Sequence, residues 1–147
     1  MNFEDTLKMK GELEIVVRDQ AGKVKEIRQA KNLVVSAGKT YLASRAVGTS
    51  ASIMSHMAIG TATGTPTAAD TSLGTEAGRV SLASSSNSAN AITYTATFPA
   101  GTGTGAITEA AVLNSSTSGT MLCRTTFPVV NKAAGDSIAI TWVVTIS

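Results

Sequence analysis

SIAITWVVTI, residues 137–146, puts Ile138, Ile140, Trp142, Val144 and Ile146 on one side and Thr141 and Thr145 on the other. A repeat of two marks a β-strand with one dry and one wet face, because successive side chains point to opposite sides of the pleat. ITYTATF, residues 92–98, repeats the pattern: Ile92, Tyr94, Ala96 and Phe98 oppose Thr93, Thr95 and Thr97. ELEIVV, residues 12–17, is a shorter version built on Leu13, Ile15 and Val17. DQAG follows at 19–22, where Asp19 can accept backbone N–H groups ahead of it and Gly22 can take positive φ. A hairpin over 12–30 is the expectation.

Further strands are expected at 57–60, 79–83, 107–113 and 121–127. The intervals SSSNSAN, PAGTGTG, NSSTSG and NKAAGD are all rich in turn formers. SAGKTYLASRAVG, residues 36–48, departs from the period of two: Ser36 is a candidate N-cap, and Leu42 and Ala46 fall on one helical face. The expected fold class is all-β, an antiparallel β-sandwich or jelly-roll-like body with one short helix and an extended N-terminal arm. The expected division is an arm at 1–10 and a single β-domain at 11–147. That domain holds the hairpin at 12–30, the helix at about 37–47, and the remaining strands within 54–147.

At 147 residues, 43% of them hydrophobic, the chain can bury a core without a metal or disulfide, and the lone Cys123 offers no internal bridge. Aromatics are only 4%, so the core must be largely aliphatic. The net charge of +2 is too small to point to nucleic acid or an anionic membrane. The leading MNFEDTLKMKGE is polar and unlike a signal peptide, and no apolar run approaches the roughly 20 residues of a membrane span. A soluble protein made in a cytoplasm is expected. Charge is unevenly spread: beyond Arg45 only Asp70, Glu76, Arg79, Glu109, Arg124, Lys132 and Asp136 are charged. A body of Ser, Thr, Ala and Gly suits contact with neighbouring subunits, since small side chains lose little entropy on burial.

The stretch MSHMAIGTATGTPTAADTSLGTE, residues 54–76, holds the single histidine and three glycines. A phosphate-cradling loop would need a lysine next to its last glycine, and Gly60, Gly64 and Gly74 have none. His56 alone is no zinc site, and it alternates away from Met57 and Ile59, as a hydrogen-bonded structural histidine would. Cys123 reads as a small buried residue. Glu109, amid AITEAAV, needs a cation such as Arg79 or Arg124 if it is buried. The later acids are few and scattered, and stacking aromatics are scarce, which argues against glycoside hydrolysis. The sequence supports no catalytic, cofactor or metal residue. In the arm, isolated Phe3, Leu7 and Met9 are apolar side chains that a neighbouring subunit could cover.

KNLVVSAGKTYLASR (31–45), MSHMAIGTATGTPTAADTSLGTEAGR (54–79), ITYTATFPAGTGTGAITEAAVLN (92–114), TMLCRTTFPVVNK (120–132) and DSIAITWVVTI (136–146) together resemble small virion structural proteins of tailed bacteriophages. The resemblance runs from about Gly11 to Ser147 and carries no catalytic residue. It implies a particle protein that contacts other subunits and sits in the virion after synthesis in a bacterial cytoplasm. The preferred expectation is a capsid decoration (cement) protein that binds the major capsid protein, self-associates and stabilises the head. The alternative is a tail, collar or fibre-adaptor protein contacting tail proteins, and a second alternative is a receptor- or glycan-binding module. Nucleic acid, membrane and cofactors are not expected partners. The candidate interface residues are Asn2, Phe3, Leu7 and Met9 in the arm and Thr61, Thr63, Thr65 and Thr67 in the long loop.

Overall fold

The first hairpin is built as its turn chemistry suggests. In the computed structural model, which describes residues 5–49 and 51–147, strand β1 (Met9–Arg18) pairs antiparallel with β2 (Val24–Val34). The Asp19 carboxylate accepts the N–H groups of Ala21 and Lys23, both at 2.9 Å, and Gly22 takes φ +84°. Helix α1 (Ser36–Ala46) follows. Then come β3 (His56–Gly60), β4 (Glu76–Ser81), β5 (Ser84–Ser88), β6 (Ala91–Phe98), β7 (Gly105–Leu113), β8 (Met121–Lys132) and β9 (Ser137–Ile146).

These strands form one nine-stranded sheet in the order β4-β3-β7-β8-β2-β1-β9-β6-β5, with antiparallel neighbours throughout. The sandwich takes the form of a single sheet curled on itself, and β2 is the bend. Residues of β2 up to Asn32 pair with β1, whereas Leu33 and Val34 pair with Arg124 and Cys123 of β8. One core fills the space between the halves. Leu13, Ile15, Val17, Tyr94, Phe98, Ile138, Ile140, Trp142 and Val144 come from one side, and Met57, Ile59, Ile107, Val112, Leu122 and Phe127 from the other.

Trp142 is the largest side chain sealed in this core, at 0% exposure. It lies in register between Leu13 and Tyr94, and its indole N–H donates to Asn32 Oδ1 at 2.9 Å. That contact depends on Gly11, because a Cβ there would lie 1.7 Å from the same Asn32 oxygen. Helix α1 approaches β8 just as closely: a Cβ on Gly38 would stand 2.2 Å from the Leu122 carbonyl oxygen.

Several boundaries differ from those expected. Val35, not Ser36, is the helix N-cap, and it supplies no side-chain hydrogen bond. SSSNSAN is not all turn: its first five residues form β5, an edge strand whose hydrogen bonds come from β6. Local composition favours a turn there, and the partner strand overrides it. Strand β8 runs past Phe127 to Lys132, and Pro128 is accommodated where the β7–β8 register slips. At the other end, Met9 and Lys10 of the expected arm belong to β1. Lys8 exchanges two backbone hydrogen bonds with Ser147, at 2.6 and 2.7 Å.

Candidate functional site

Strand β7 from Ile107 onward and the first five residues of β8, Met121 to Thr125, are buried on both faces, although the core covers only one. The other face is covered by the irregular segment 61–75, which joins β3 to β4. Leu73 of this segment joins Val35, Ala58, Ala111, Leu113 and Met121 in a second, smaller apolar cluster. The long Thr/Ala/Gly stretch is thus a strap laid across the outside of the sheet.

An ionic clasp fastens the strap. Glu109 projects from β7 at 0% side-chain exposure and accepts N–H groups from Thr75 (2.8 Å), Gly74 (2.9 Å) and Ala62 (3.2 Å). Arg124, from neighbouring β8, donates to Glu109 through Nη2 at 2.9 Å and to Asp70 of the strap through Nη1 at 2.7 Å. Asp70 also accepts the backbone N–H and the hydroxyl of Thr67, both at 2.9 Å. Thr108 donates its hydroxyl to the Ala62 carbonyl at 2.7 Å. The glycines make room: a Cβ on Gly60 would stand 2.4 Å from Glu109 Oε1.

Electrostatics follow from this geometry. Burial alone would raise the Glu109 pKa, but the amides of Thr75, Gly74 and Ala62 and the Arg124 guanidinium outweigh it and hold the carboxyl below its usual range. The Thr67 amide, against a smaller opposing effect of burial and with further help from Arg124, lowers Asp70. Burial disfavours the charge on Arg124, yet its two carboxylate partners raise its pKa overall. The clasp is therefore ionised and saturated with hydrogen bonds. Its chemistry is to fix a loop.

The single histidine and cysteine do not meet. Met57, Val112 and Cys123 lie in one cross-strand row facing the main core, and His56, paired with Leu113, faces the other side of the sheet. His56 Nδ1 lies 2.8 Å from Ser55 Oγ, and Nε2 lies 3.4 Å from Ser81 Oγ. Burial pushes the Cys123 thiol well above its ordinary pKa. No group of three His, Cys, Asp or Glu among the described residues is placed to hold a metal ion. No described helix is long and apolar enough to cross a membrane.

The candidate interface residues fall in two places. Thr61, Thr63, Thr65 and Thr67 are all exposed along the strap. Leu7, at 76% exposure, lies two residues ahead of β1, the half-buried Met9 opens that strand, and Asn2 and Phe3 fall outside the described residues. Of the cations considered for Glu109, Arg124 makes the pair, whereas Arg79 binds Glu76 and the carbonyls of Ser115 and Ser118. Asp70 went unrecognised as the third member, although Thr-x-x-Asp at 67–70 is a side-chain-to-backbone turn signature that could have shown it. The burial of Lys132, at 2% exposure with Nζ 2.9 Å from the Pro99 carbonyl, had no sequence signal.

The profile of a family described as phage tail-collar fibre protein, N-terminal, matches residues 28–146. That span begins inside β2 and takes in the bend, the helix, the strap and the clasp. Searches of curated proteins and of solved structures returned no match. With the match covering most of its length, the chain belongs to the phage tail-collar fibre protein N-terminal family, and it is a structural protein of the virion.

Proposed function

We propose that the protein serves in the phage tail, as a non-catalytic attachment module of the collar–fibre region that binds other tail proteins. The family match over 28–146 carries this reading. It favours the tail alternative over head decoration, and the expected contact with the major capsid protein gains nothing from it. The geometry is compatible with attachment. The clasp holds an exposed row of threonines on a rigid sheet, and a pre-ordered contact loses little entropy when a partner binds. Strands β5, β6 and β9 contain no charged residue, which leaves the outer face of these three strands at one end of the sheet open to close approach.

Labelling the protein in intact particles and imaging them tests this reading. Density confined to the tail or its collar supports it. Density spread over the head shell would return the cement reading and overturn this one.

A further inference from the structure

A groove of about 840 Å³ runs between the start of β1, the end of β2, helix α1 and the C-terminal residues. Its floor is apolar, with Met9, Leu33, Leu42 and Ile146. Its rim carries Lys8, Lys10 and Lys39, and no acidic side chain lines it. An occupant should therefore offer apolar side chains next to carboxylates.

The chain itself contains such a segment. Its first five residues, Met-Asn-Phe-Glu-Asp, set Met1 and Phe3 beside Glu4 and Asp5. We propose that this groove receives the leading segment of a second copy of the chain, with Phe3 over the apolar floor and Glu4 and Asp5 against the lysine rim. Leu7 and Lys8 themselves form part of the groove wall, so the segment ahead of them would have to reverse within a few residues to enter its own groove. At about 3.3 Å per residue, the six residues ahead of Leu7 can reach roughly 20 Å, enough to cross to an adjoining subunit. The inference stands on the groove and the leading sequence, whatever the protein's place on the particle.

Charge reversal in the full chain tests it, read by sedimentation equilibrium of the purified protein. The unaltered chain should self-associate. The double variant Glu4→Lys/Asp5→Lys and the double variant Lys8→Glu/Lys39→Glu should each associate about tenfold more weakly, because segment and rim then repel. An equal mixture of the two variants should recover association, since each segment now finds an oppositely charged rim on the other variant. All four altered positions lie on the surface or in the leading segment, so circular dichroism should show the unaltered fold. A monomeric unaltered chain, variants that associate normally, or a mixture that stays dissociated would each overturn the proposal.

Discussion

The two halves of the curled sheet solve the same problem differently. In the β1–β9–β6 half, dry residues face the core, and the charged residues of β1 and the threonines of β6 and β9 face away from it, so each strand needs a partner on one side only. In the β3–β7–β8 half the strands are covered twice, by the core and by the strap, so the second face must be small and the strap must be held. Ala58 and Ala111 meet the first requirement, and the Glu109–Arg124–Asp70 clasp meets the second. A one-sided strand can rely on hydrophobic burial, whereas a two-sided strand beneath an irregular segment needs directed polar contacts to satisfy that segment's backbone.

Substitutions in each half should separate the two strategies. The largest effect is expected from Trp142→Ala, which should cost about 3–5 kcal/mol in urea unfolding by opening a cavity at the middle of the core. Glu109→Ala should cost roughly 3 kcal/mol, near the lower end for a broken buried pair, because Asp70 still holds Arg124. Hydrogen exchange should tell them apart: Glu109→Ala should release the amides of Ala62, Gly74 and Thr75 while β6 and β9 stay protected, whereas Trp142→Ala should weaken the core strands. Uniform loss of protection in Glu109→Ala would show that the strap and the sheet unfold together.

Acid should act mainly on the clasped half. Glu109 and Asp70 both have lowered folded-state pKa values, so their contribution to stability is present at neutral pH. It fades as pH falls below about 4, through the folded-state values, since the unfolded chain then binds protons more readily. Asp70→Asn, at a partly exposed position, should cost only about 1 kcal/mol and flatten that acid limb slightly. The smallest effect is expected from Thr93→Lys on the outer face of β6, within about 0.5 kcal/mol by thermal melting.

The one-sided half was legible in the sequence because its chemistry is periodic. SIAITWVVTI and ITYTATF show both faces of their strands in the order of their letters, and Asp19 and Gly22 announce the turn of the first hairpin. The two-sided half was only partly legible. GAITEAAVL is apolar on both faces, so alternation could not say that something lay on top of it. Glu109 showed that a cation was needed, but its three backbone partners lie more than thirty residues away, where sequence spacing carries no information. Strand β5 was missed for a related reason: serine favours turns locally, and only β6 makes that segment extended. The groove beside α1 arises from tertiary placement of four separate segments, and none of them signals it alone.

The position of β1 sets an order of events during synthesis. This strand, ahead of the other eight in the chain, lies between β2 and β9, and β9 is made after all of them. Until β9 emerges, one edge of β1 keeps a full row of unmatched amides and carbonyls beside Leu13, Ile15 and Val17, a template for pairing with the wrong chain. Closure of the sheet therefore waits for β9, a pairing of high sequence separation, and the mixed charges of Lys10, Glu12, Glu14 and Arg18 along the waiting strand oppose pairing with another chain in the meantime.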